Sequence, residues 1–445
     1  MEWKKNAAHQ VEITGYNAEG SGVARVDGRV IFVPATIAGE IWDIVLVKVN
    51  KNFAFGRAVT CITPSPKRVE MDCPYGNKCG GCQFRHMNYE EELKAKTDIV
   101  KAALERIAGV KEDILPIIGA KERNHYRNKV QFQVAGSDKW IKIGFYRSRS
   151  HDVLDTESCL LQGEFSTKAR EVLKTWMGQF GVNPFDENTG KGTIRHLFLR
   201  SNEKGEVLLC LVATRRKLPY IAELLEALKA ELPDLKGFIL NVNPKDTNVV
   251  LGEEYHKIWG EDYLYEELSN LSFKLSVPSF FQVNLKQTEV LYKVIAEFAQ
   301  LSGTETVLDL YCGTGTIGLS LAKEAKKVIG IEIVSSAVED AKENATRNGI
   351  ENAEFILGDC GQVTEKEMKA DVVIVDPPRK GLSSPQTVLS YVENKLIYTS
   401  CDPGTLARDL KFFTGEGFIV EKIQPVDLFP GTKHVETVVL LTKKK

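Results

Sequence analysis

The sequence has no run of about 18 apolar residues, so it offers no transmembrane helix. Its start, Met1 to Gln10, is polar and lysine-containing and lacks the apolar stretch of a secretion signal. The simplest expected location is therefore the cytoplasm, with no membrane partner. Neither sign of charge is in excess: 58 Lys and Arg stand against 60 Asp and Glu, a net of −2. That balance excludes a protein that coats nucleic acid through bulk charge, but not a local basic face. Nine cysteines is an odd number for a disulfide framework, and a cytoplasmic setting would be reducing. Low-complexity tracts and long internal repeats are absent as well.

What is present divides 445 residues into three zones. In residues 1–65, β-rich runs at Val11–Thr14, Arg29–Pro34, Trp42–Val49 and Arg57–Ile62 alternate with glycines, which predicts a small β-barrel. Thr63-Pro64-Ser65-Pro66 reads as a linker. Residues 66–275 open on a cysteine cluster, continue into a helical stretch from Tyr89 to Ala108 ended by Gly109, and then mix strands and helices. Within them, Lys121–Ser150 holds eight Lys/Arg against two Asp/Glu, with Tyr126, Phe132, Trp140, Phe145 and Tyr146 interleaved. That net of +6 suits a phosphate-facing surface, although a solvated strand face over core aromatics has the same pattern.

Residues 276–445 alternate strands (Thr306–Leu310, Lys327–Ile333, Ala353–Leu357, Asp371–Val375, Lys395–Ser400) with helices such as Ser335–Asn348. This predicts a parallel sheet covered by helices, with ligands at the carboxyl ends of its strands. The residues just after each strand are therefore informative. Gly313, Gly315 and Gly318 satisfy G-x-G-x-x-G after the first strand, and Glu332 ends the second, a spacing that suits a ribose. Dinucleotide binding competes, but Asp309 beside the loop would repel a pyrophosphate and suit a cationic amino acid group. Asp359 and Asp376 follow the third and fourth strands. The pattern resembles class I S-adenosylmethionine methyltransferases. Cys401 follows the fifth strand, and Glu436 leads a final apolar strand.

Longer motifs carry a closer resemblance. Asp376-Pro377-Pro378-Arg379, Ser400-Cys401-Asp402-Pro403 and His434-Val435-Glu436-Thr437 are joined by Ser279-Phe280-Phe281-Gln282-Val283-Asn284, Tyr126-Arg127-Asn128-Lys129 and Gly192-Thr193-Ile194-Arg195-His196. Together they resemble the RNA uracil-5-methyltransferases that carry an N-terminal TRAM domain. The resemblance implies three domains: an OB-like TRAM barrel for RNA, an α+β central domain, and a C-terminal Rossmann-like class I methyltransferase domain. It implies Cys401 as nucleophile and Glu436 as proton acceptor. Gln282, Tyr311, Glu332 and Asp376 would line the methyl-donor site, with Asp309 and Asp359 as the neighbouring strand-end acids. Where many relatives carry Asn after the second loop glycine, this chain has Thr316. Uracil C5 is a weak nucleophile, and a thiolate adding at C6 activates it. A partly positive site near Arg379 is expected to favour that thiolate.

Cys73, Cys79 and Cys82 lie close together in sequence and Cys159 follows much later; spacing alone allows zinc or an iron–sulfur cluster. By resemblance to the rRNA branch, these four cysteines would hold a [4Fe–4S] cluster. The implied activity is 5-methyluridine formation in 23S rRNA by a monomer. A tRNA substrate, a non-catalytic RNA-binding assembly factor and an NAD-type oxidoreductase are the competing readings.

Overall fold

The computed structural model describes residues 3–444 apart from 77, 138, 246–248 and 363–367. Six N-terminal strands form one sheet, in the order Ala8–Glu12, Ile41–Val49, Phe53–Thr63, Arg29–Val33, Gly22–Val26, Gly15–Tyr16. Inward positions alternate with exposed ones, and Val11, Ala24, Ile31, Val33, Ile44 and Leu46 make a common core. The two strands not foreseen, Gly15–Tyr16 and Gly22–Val26, are short and set among glycines. A Cβ on Gly22 would lie 2.1 Å from Thr36 Oγ1, so only glycine fits there.

A seven-stranded central sheet runs from Lys129–Ser137 to Glu254–Gly260 in sequence, with helices Glu164–Phe180 and Ile221–Glu231 packed over Leu197, Leu209 and Phe238. A hairpin, Tyr263–Leu268 with Leu271–Ser276, leads on to the third sheet.

That third sheet contains Thr306–Leu310, Lys327–Glu332, Ala353–Leu357, Ala370–Val375, Val392–Ser400, Phe418–Val426 and Glu436–Lys443. Counted along the chain, they lie side by side as third, second, first, fourth, fifth, seventh, sixth. The first five are parallel; the last is antiparallel to both its neighbours. Helix Leu285–Ala299 covers one face through Leu291, Ile295 and Phe298. Helix Pro403–Gly415 covers the other through Leu406, Leu410 and Phe413.

The early helix joins this second face. Tyr89–Ala103 is capped by Asn88, which accepts from Glu91 N at 3.0 Å, and carries Glu90, Glu91 and Glu92 in its first turn. A wider π turn, Leu104–Ala108, ends at Gly109 with φ 72°. Val100 and Leu104 pack with Leu308, Leu410 and Phe413. The helix thus bridges two bodies: Ala95 and Ile99 pack with Tyr16, Ile37, Phe84 and Met87 of the N-terminal domain and the cysteine segment, while Val100 and Leu104 face the C-terminal sheet.

Candidate active site at the sheet edge

The topology alone gathers most of the sequence-nominated residues. Tyr311, Glu332, Asp359, Asp376 and Cys401 sit at or just past the carboxyl ends of parallel strands. Because the last strand is antiparallel, its first residue arrives at the same edge. Ser400 pairs with Thr437, which sets Glu436 beside Cys401.

The glycine loop is braced from below. Asp309 is fully buried; its Oδ2 accepts from Gly318 N at 2.9 Å, and its Oδ1 has no partner. Burial pushes its carboxyl up to about 7, and nearby Asp376 and Glu332 add to the rise. Glu332 accepts from Gly313 N at 3.1 Å and Val334 N at 2.9 Å. Gly315 has φ 80°, and a Cβ on it would lie 2.8 Å from Phe355. Tyr311 itself holds φ 63°, which turns the chain out of its strand. Thr316 spends its hydroxyl on Tyr292, at 2.6 Å. Asp359 accepts from Gly361 N at 2.9 Å. Gln282 lies outside the sheet, in the loop before helix Leu285–Ala299; its carbonyl accepts from Asn128 at 3.1 Å, which ties two of the sequence motifs together.

The reactive corner holds Cys401, Glu436, Asp376, Arg379 and His434. Cys401 is half-buried, directly before Asp402, which caps helix Pro403–Gly415 by accepting from Thr405 N at 2.9 Å. The expectation of a favoured thiolate is overturned. Burial pushes the Cys401 thiol up to about 12; Glu436 and Asp376 raise it further, and Arg379 is the cation that opposes them. Glu436 is buried, and its carboxyl is pushed well above the usual range by burial and then by Asp376. Burial raises Asp376 to about 7. Cys401 and Glu436 thus share one guanidinium. Arg379 Nη2 lies 3.3 Å from His434 Nε2. Burial, then Arg379, hold the imidazole down to about 3, so it is neutral and accepts.

Sequence reasoning missed Ile333 and Val334. They are 64% and 51% exposed immediately after Glu332, where an apolar side chain can cover the face of a flat ring. The signal was an apolar run continuing past the strand-ending acid.

The four cysteines are all free and half-buried. Cys79 is raised by burial and by Cys82 and Cys73; Cys82, pushed up to about 11 by burial, and Cys159 also feel other members of the set. Gly81 N donates to Cys79 Sγ at 3.4 Å, the Arg85 guanidinium faces Cys82, and backbone N–H groups of Leu161 and Gln162 face Cys159. Such donors suit thiolates. Among the described residues no three His, Cys, Asp or Glu groups converge tightly enough for a metal ion. A single zinc would need its sulfurs at about 2.3 Å from one point. A four-iron cluster spreads its thiolates over several metals, a looser geometric demand than one zinc makes.

The model of the tRNA (Uracil-5-)-methyltransferase family matches residues 88–444, and that of the TRAM domain matches residues 3–59. The chain belongs to the tRNA (uracil-5-)-methyltransferase family. Methyl transfer from S-adenosylmethionine to uracil C5 of RNA comes with that membership. An uncharacterized RNA methyltransferase of Clostridium tetani is 43% identical over 446 residues, covering 99% of this chain and 97% of the relative. Another, from Halalkalibacterium halodurans, is 41% identical over 448 residues, covering 99% and 98%. Among solved structures, the Pyrococcus abyssi tRNA (uracil-54, C5)-methyltransferase in complex with S-adenosyl-L-homocysteine superposes with a TM-score of 0.76 at 28% identity. It covers 97% of this chain, which covers 99% of it. The dinucleotide reading of the glycine loop gives way to the methyl donor. No helix among the described residues is long and apolar enough to cross a membrane.

Proposed function

We propose that the chain methylates C5 of a uridine in 23S rRNA through a covalent bond between Cys401 Sγ and uracil C6. The placing of Cys401 beside Glu436, one step beyond the Ser400–Thr437 pair and at the edge that holds the donor loop, carries this reading. It also argues against a binding-only role, which needs neither residue. S-adenosylmethionine supplies an electrophilic methyl on a sulfonium, whose positive charge favours ionisation of the acids around it. Gln282, Tyr311, Glu332 and Asp376 would line its pocket, with Asp359 beside them and Asp309 beneath the loop.

Cys401 is half-exposed, so its proton can leave to solvent as Sγ bonds to C6. The electron pair displaced to C5 would take the methyl as its bond to the donor sulfur breaks, and S-adenosylhomocysteine would leave. Glu436 then accepts the C5 proton, the C6–S bond breaks, and the aromatic ring is restored. Asp376, close to neutrality in its ionisation, can hydrogen-bond the uracil edge. The target base must leave its stack to reach this corner.

Cys73, Cys79, Cys82 and Cys159 would hold a [4Fe–4S] cluster that organises the segment they occupy; this supports the rRNA branch. A tRNA substrate is the second reading, favoured by the solved tRNA enzyme that spans nearly the whole chain.

Anaerobically purified protein, S-adenosylmethionine and unmodified 23S rRNA or tRNA, assayed separately by mass spectrometry of RNA fragments, decide between them. A C5-methyl in rRNA is expected; a methyl in tRNA alone moves the enzyme to the other branch. Cys401→Ala should abolish methylation, and Glu436→Gln should accumulate protein–RNA adduct. Full turnover by Cys401→Ala would sink the mechanism.

A further inference from the structure

Between the last two strands of the C-terminal sheet, residues 427–435 form a strap that carries His434 and leads directly into Glu436. The strap is gripped from two sides. Lys96, on helix Tyr89–Ala103, is fully buried, and its Nζ donates to Asp427 Oδ1 at 2.7 Å, Glu92 Oε1 at 2.8 Å and Phe429 O at 3.1 Å. Tyr89 donates to the other Asp427 oxygen at 2.7 Å, and Gly431 N donates to Glu92 Oε1 at 2.6 Å. On the other side stands the cysteine segment. Backbone N–H groups of Gln83 and Phe84 both donate to Gly431 O at 3.1 Å. The Gln83 side chain accepts from Lys433 N at 3.0 Å while donating to Gly80 O at 2.9 Å.

Three charged groups in a dry interior are costly, and apolar packing would hold a helix to a sheet at least as well. What the ionic arrangement adds is a fixed register. It sets the strap at 427, 429 and 431, a few residues before the side chain that must meet a C5 proton. Gln83 adjoins Cys82, so whatever holds Cys82 also fixes Gln83.

We propose that Lys96 and Gln83 are positioning residues: through the strap they set Glu436, and Arg379 by way of His434, and so couple the cysteine segment to the proton-abstraction step. This rests on the reading of Glu436 as the proton acceptor.

The test is the pair Gln83→Ala and Gln83→Glu, the second keeping the acceptor oxygen for Lys433. Gln83→Ala should lower kcat about tenfold with KM for RNA nearly unchanged, because only the base step is disturbed. Covalent RNA adduct should accumulate, and the Lys433 amide should lose hydrogen-exchange protection. Gln83→Glu, which keeps the acceptor for Lys433 but loses the donor to Gly80 O, should restore all three only in part. Lys96→Met should show the same split wherever it folds. Loss of amide protection with normal kcat and no added adduct overturns the proposal, as does unchanged protection. A wild-type enzyme that methylates while Glu436→Gln traps no adduct strikes instead at the assignment of Glu436.

Discussion

At the scale of single residues, the reactive corner stores its nucleophile as a thiol. Burial outweighs Arg379 at Cys401, and Glu436 and Asp376 add to the effect. The identity of the nucleophile was legible in the sequence because Ser400-Cys401-Asp402-Pro403 is a contiguous motif. Its ionisation was not, because that depends on Glu436 and on how deeply both are buried. Activity should therefore climb with pH between about 6 and 9, since adduct formation needs the anionic sulfur and the thiol sits well above that window. Arg379 lowers the thiol, so Arg379→Ala moves it higher. At fixed pH, one unit of rise leaves about tenfold less thiolate. The measurement is the rate of adduct formation against pH in Glu436→Gln, with and without Arg379→Ala. A pH-independent rate, or a faster one without Arg379, contradicts the thiol-storage picture.

At the scale of elements, the period-2 and glycine signals placed strands well where local chemistry decides. Thr306–Leu310 and Ala353–Leu357 fall at their expected bounds, and helix Ser335–Arg347 ends one residue short of the expected Asn348. Partners distant in sequence were illegible: nothing local says that Lys96 meets Asp427, or that Glu436 leads an antiparallel strand. Glu40 is another such case. It is fully buried just before strand Ile41–Val49, where its carboxylate accepts from Arg68 Nε at 2.6 Å, Trp42 Nε1 at 2.8 Å, Ile37 N at 2.8 Å and Ser65 N at 3.1 Å. It thereby pins the linker to the sheet it leaves. These donors overcome burial and hold the carboxyl down to about 2. A depressed acid contributes stability above its unfolded value, and that contribution is lost as pH falls toward the folded one. Glu40→Gln should destabilise the N-terminal domain by about 3 kcal/mol at pH 7, the scale for breaking a buried ionic partner. The gap from wild type should shrink as pH drops from about 4.5 toward 2. Thermal melts at pH 7 and pH 3 test this, and an equal gap at both would refute it.

At the scale of the whole molecule, a groove of about 840 Å³ lies between the N-terminal domain, the cysteine segment and the central sheet. Arg85, Arg147, Arg149 and Lys433 line it, with Phe55 and Tyr146. The Arg149 guanidinium lies 4.7 Å from the centre of the Phe55 ring. Two of the four cations are already engaged: Lys433 with Glu19 and Arg85 with Asp72. The basic segment seen in the sequence thus divides. Phe132 and Tyr126 are core, Trp140 is 69% exposed, and Arg147 and Arg149 reach the groove. Cations spaced among aromatic faces suit a single RNA strand, whose phosphates and bases they contact separately. Lys433 in the groove is one residue from His434, so RNA held there leads toward the reactive corner. Replacing Arg147 and Arg149 by alanine should weaken RNA binding without changing the affinity for S-adenosylmethionine. The slope of log affinity against log salt should fall by about 0.7 for each lost phosphate contact on a single strand. Filter binding of an unmodified RNA fragment across a salt series reads both quantities. A parallel shift with unchanged slope would mean that these arginines act through shape or stacking; unchanged affinity would place the RNA on another face.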